Sequence, residues 1–147
     1  MNRTMKQHMF YALNISISLV IGLIVYVCCR PDTYVSQAVY NLLGIFPDIG
    51  GFVNWLPTWL LLFIRNYLAD IIWAYALTFT VCYILWNQNK SMFPIFGIVA
   101  VFEICIEVSQ KVGIMSGTFD WFDIFLEICI SALVMLVIKT KYKEKQK

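Results

Sequence analysis

The chain has 147 residues, of which 61% are hydrophobic, 16% aromatic and only 14% charged, more apolar side chain than a soluble core of this size can enclose. A net charge of +2, dispersed along the chain, is too small to point to a nucleic-acid partner, and none is expected. With a mean hydropathy of +0.74, the solvent that fits is a lipid bilayer, where each helical crossing takes about 20 apolar residues.

The first predicted span covers residues 10–29, behind a polar start with Arg3 and Lys6. That order resembles a signal peptide. The apolar run is long, however, no small-x-small cleavage pattern follows, and Val27 before Cys28 is wrong for a lipoprotein signal, so a retained span is expected. Residues 30–54 form a long connection with Pro31, Pro47, Gly50 and Gly51. Within it, residues 35–46 (VSQAVYNLLGIF) read as a short amphipathic helix lying in the interface. Residues 55–64 (WLPTWLLLFI) are apolar but too short to cross, and their two tryptophans suit a headgroup-level or re-entrant segment. The second span follows over residues 67–86. A tight NQNK turn leads to the third, 92–110, and KVGIMSGT leads to the fourth, 120–138. A basic, frayed tail occupies 139–147. The expectation is an all-α polytopic membrane protein: one transmembrane domain over residues 1–147, with four transmembrane helices and a re-entrant or interfacial segment before the second span.

Four spans put both termini on one side. That side holds eight basic residues (Arg3, Lys6, Lys90 and the five tail lysines), against Arg30, Arg65 and Lys111 opposite. The positive-inside rule then places the termini and the NQNK turn in the cytoplasm. The five cysteines all fall in apolar stretches without metal-ligand spacing and read as small apolar residues.

Of nine acidic residues, six belong to the last three spans or their outer ends: Asp70, Glu103, Glu107, Asp120, Asp123 and Glu127. Glu103, Glu107 and Gln110 share one helical face, as do Asp120, Asp123 and Glu127. The two helices are consecutive and antiparallel. At about 1.5 Å per residue, Glu103 and Glu127 lie roughly 10 Å below the outer ends, and Glu107 and Asp123 roughly 4–5 Å below them. Two facing rungs of carboxylates at matched depths follow. An acid at mid-span costs about 2.5–3.5 kcal/mol on insertion scales, so these residues must meet one another, a cation, a proton or water rather than lipid. Arg65, arriving at the same side, is the expected neutralising charge. Carboxylates this close cannot all ionise cheaply, so Glu103 or Glu127 is expected to hold a proton. Asp120, at a helix start, has the position of a cap.

The single histidine, His8, lies in the N-terminal tail, which removes Ser-His-Asp, Cys-His and histidine-zinc chemistry. Nucleotide-binding glycine loops are absent, and Ser116-Gly117 reads as a turn. Carboxylate chemistry remains: general acid and base work, a hard cation such as Mg²⁺ or Ca²⁺ on oxygen ligands, or a proton relay.

Glu107-Val108-Ser109-Gln110 followed by Asp120-Trp121-Phe122-Asp123 resembles the hallmark of the VanZ-like membrane protein family. That family has an E-x-x-Q pair, a loop R-x-F-D-x-x-D, and N-x-x-G inside the last helix. This chain departs from it with Gly117 at the arginine, Glu127 at the asparagine and Ile130 at the glycine. The resemblance covers the C-terminal third, and loosely the RNYLAD stretch at the second span. The family's namesake confers low-level resistance to the glycopeptide teicoplanin. The resemblance implies a bacterial inner-membrane protein of the cell envelope, with Glu107, Gln110, Asp120 and Asp123 as the matching site residues. Without the family arginine, an anionic ligand would depend on Arg65 or Lys111.

The residues and the resemblance together mark Glu107, Gln110, Asp123 and Glu127 as candidate catalytic groups, with Arg65, Asp70, Glu103 and Asp120 as binding groups. The expected role is to bind or process a lipid-linked or polar envelope component at an outward-facing pocket. Two alternatives stand beside it: a small proton- or cation-coupled transporter, which would have to form a homo-oligomer, and a non-catalytic partner subunit. Enzyme and binding protein are not separated by these residues.

Overall fold

The structure, a computed structural model, describes residues 3–29, 34–44, 57–85, 91–115 and 118–144. The NQNK turn, residues 55–56, Ser116 and Gly117 lie outside them. The described residues form five helices and no strand: α1 (Arg3–Cys29), α2 (Tyr34–Leu43), α3 (Thr58–Leu85), α4 (Phe93–Lys111) and α5 (Trp121–Glu144). All but α2 are long and apolar enough to cross a membrane. The chain is an all-α polytopic membrane protein.

Local chemistry sets the helix ends. Gly44, at φ 62°, closes α2, and its N–H donates to the Tyr40 carbonyl at 2.9 Å. Pro94 sits in the first turn of α4, where a missing N–H costs nothing. Gly113, at φ 75°, ends that helix and donates to the Gln110 carbonyl. The short α2 matches the expected amphipathic segment. It buries Ser36 and Tyr40, whose hydroxyl donates to the Val27 carbonyl at 2.7 Å, and leaves Leu42 and Leu43 exposed.

The second span differs from the expectation. Residues 58–64 are neither re-entrant nor separate. They continue into the span through a π turn, Ile64–Leu68, to make one 28-residue helix. Pro57 starts it, and no proline or glycine interrupts the chain before Leu85. At about 42 Å it exceeds the roughly 30 Å hydrocarbon core. Trp59, exposed in its first turn, suits the headgroup level expected for this segment. The tail also differs. Helix α5 runs on to Glu144, and the Lys141 ammonium lies 3.9 Å from the centroid of the Phe10 ring on α1.

Helix α3 is the hub, packing against α1, α4 and α5. A Cβ built on Gly22 of α1 would stand 3.1 Å from the Ile72 methyl of α3, so a larger residue there would require the Ile72 side chain to give way. Below that contact, Tyr75 donates to the Asn14 amide oxygen at 2.6 Å. Tyr11, Phe79, Cys82, Ile95, Val99, Val134, Met135 and Ile138 form an apolar core in the half of the bundle that bears both termini. Asp70, Glu103, Glu107, Asp120, Asp123 and Glu127 occupy the opposite half.

Candidate functional site: a buried carboxylate cluster

Two helices bring three glutamates inside the bundle. Glu103 and Glu107 stand one turn apart on α4, with Glu127 on α5, and their exposures are 1%, 3% and 3%. Carboxylates are rarely so buried without a specific role.

The deeper layer is a chain of hydroxyls across three helices. Ser131 of α5 donates to Glu103 Oε1 at 2.6 Å, and Thr78 of α3 lies 2.8 Å from the Ser131 oxygen. Thr78 has one hydroxyl proton, divided between Ser131 and the Ala74 carbonyl at 2.8 Å. Among the described residues, Glu103 Oε2 and Glu127 Oε2 have no hydrogen-bond partner. Toward the interior, the chain stops at the apolar core.

The outer layer ties the helix ends together. Glu107 accepts from Gln110 Nε2 at 3.3 Å and from the Asp120 backbone N–H at 3.4 Å. Asp120 Oδ1 accepts from the Phe122 N–H at 2.9 Å, so this residue caps α5 as its position implied. Asp120 Oδ2 accepts from Tyr67 of the π turn at 3.4 Å. Glu127 lies in the electrostatic field of Glu103, Glu107, Asp70 and Asp123, and Glu107 in that of Asp70 and Asp120. Asp70 thus adds a carboxylate from α3.

Glu103 bonds Ser131, one turn deeper than Glu127, while Glu107 accepts from the Asp120 N–H, one turn shallower than Asp123. Arg65 is exposed on the π turn. Lys111 stands 4.7 Å from the Phe119 centroid and 5.7 Å from that of Trp121, with its charge over aromatic faces. No three His, Cys, Asp or Glu side chains among the described residues converge closely enough to hold a metal ion, so no cage for Mg²⁺ or Ca²⁺ is preformed there.

Reasoning from the sequence missed Tyr67 and Thr78 as members of the site. Hydroxyls are cheap in an apolar span, and neither residue falls on the acidic periodicity. No family model matches the chain, and no curated protein or solved structure does either.

Proposed function

We propose that this chain is a VanZ-like bacterial integral membrane protein of the cell envelope, whose carboxylate cluster binds or processes a polar or lipid-linked envelope component. In this reading both termini are cytoplasmic and the cluster lies in the outer half of the cytoplasmic membrane. Glu107, Gln110, Asp123 and Glu127 act on the ligand, and Arg65, Asp70, Glu103 and Asp120 hold it. The observation that supports it is the pair of carboxyl oxygens, Glu103 Oε2 and Glu127 Oε2, buried without a hydrogen-bond partner among the described residues. A buried acceptor left unsatisfied costs about 1–3 kcal/mol. A ligand that donates hydrogen bonds, through hydroxyl or ammonium groups, relieves that cost.

A proton- or cation-coupled path fits less well. It would have to continue through the other half of the bundle, and beyond Ser131 the interior is Phe79, Cys82, Val99, Val134 and Ile138.

Complementation of a deletion strain tests the reading, with Glu107→Gln and Asp123→Asn made singly and membrane levels checked by immunoblot. Loss of complementation at normal protein level is expected. If both variants complement fully, these acids are structural and the ligand reading fails.

A further inference from the structure

The end of the bundle that bears both termini carries a charged feature that the carboxylate cluster does not use. Residues 1–29 and 128–147 hold seven basic residues (Arg3, Lys6 and the five tail lysines), and Glu144 is their single acid. The apolar run of α5, residues 121–138, is about 27 Å long, close to the roughly 30 Å thickness of the hydrocarbon core. Because α5 stays helical to Glu144, Lys139 and Lys141, both exposed, enter the headgroup layer on a helix and not on a frayed tail.

Packing fixes where one of these charges sits. The Lys141 ammonium lies 3.9 Å from the centroid of the Phe10 ring, which joins the end of α5 to the start of α1. Phe10 is held in turn by Tyr11 and Phe79, with ring centroids 5.7 Å and 5.8 Å away. Lys6, also exposed, precedes Phe10 by one helical turn on the same face of α1, about 6 Å nearer the terminus. Two lysines from different helices thus flank one junction at headgroup depth.

We infer that this junction binds the phosphate of an anionic phospholipid between Lys6 of α1 and Lys141 of α5, with Lys139 beside them. Charge complementarity selects the occupant, since basic residues clustered just beyond a membrane-spanning helix draw anionic lipid. The bilayer delivers such a headgroup at this depth. Inward from Lys6, α1 exposes Met9 and Leu13, apolar side chains against which an acyl chain can lie and a free phosphate ion gains nothing. The bound lipid would clamp α1 to α5 where the Phe10 contact already joins them. The inference holds for either orientation of the chain and does not rest on the ligand reading of the carboxylate cluster.

The test is native mass spectrometry of the purified full chain in a neutral detergent, with equal amounts of phosphatidylglycerol and phosphatidylcholine. Several-fold more phosphatidylglycerol than phosphatidylcholine should stay bound to the unaltered chain. Lys6→Gln with Lys141→Gln should bring the two lipids to parity, and Lys6→Arg with Lys141→Arg should keep the preference. Lys145→Gln with Lys147→Gln removes the same charge from the end of the tail and should leave most of the preference intact. Circular dichroism confirms that each variant stays folded. Equal retention of the two lipids by the unaltered chain overturns the inference. So does an equal loss in both glutamine pairs, because binding then follows net charge and not the junction. The readout is lipid retention, so its failure is separable from failure of the complementation test.

Discussion

Removing the Ser131 hydroxyl isolates one link of the buried chain. Ser131→Ala leaves Glu103 Oε1 without its donor at 2.6 Å, on a side chain only 1% exposed. The expected loss is about 1–3 kcal/mol of stability, the cost of stranding a buried acceptor. Replacing both partners, Ser131→Ala with Glu103→Leu, removes the stranded group together with its donor and should recover most of that loss. Unfolding in mixed micelles measures both, and equal destabilisation by the single and double variants would contradict the assigned bond. At this scale the acids were legible in the sequence, since i, i+4 and i, i+3 spacing placed Glu103 with Glu107 and Asp120 with Asp123. Their hydrogen-bond partners were not. Spacing fixes a helical face, but it does not show that Glu103 bonds Ser131, a turn deeper than Glu127.

Helix α1 depends on α3 through few polar contacts and one close approach. Tyr75→Phe removes the 2.6 Å bond to Asn14. A loss of about 0.6 kcal/mol, at most about 1.7, is expected, because both groups find other partners when helices separate within a membrane. Gly22→Leu should cost more, since even a Cβ there meets the Ile72 methyl at 3.1 Å, and the Ile72 side chain would have to give way. Disulfide trapping between cysteines placed on α1 and α3 reads any shift of the two helices. Cross-linking that is unchanged by Gly22→Leu would show that the seam is looser than described. Four spans were readable from apolar length alone, and so was the amphipathic α2. The continuous Thr58–Leu85 helix was not. Its apolar first turns are separated from the second apolar run by Arg65 and Asn66, which break a hydropathy window without breaking the helix. The π turn at those residues has no sequence signature.

As a whole, the molecule is divided into halves: an apolar core beside the termini and a carboxylate cluster opposite. The proposed orientation predicts that reporters fused to either terminus lie in the cytoplasm, and that one inserted at Gly113 lies outside. The reverse pattern would turn the cluster toward the cytoplasm and exclude an envelope ligand from it. The division itself was legible, because six of nine acids fall in or at the outer ends of the last three spans. How the cluster is closed by α3, through Asp70, Tyr67 and Thr78, needed the packing of three helices. The most direct test of a functional cluster is Glu127→Gln, read for both complementation and stability. The substitution keeps the shape of the side chain and removes an acid that lies among four others. The prediction is unchanged or increased stability with complementation lost. A folded Glu127→Gln protein that complements fully would contradict it.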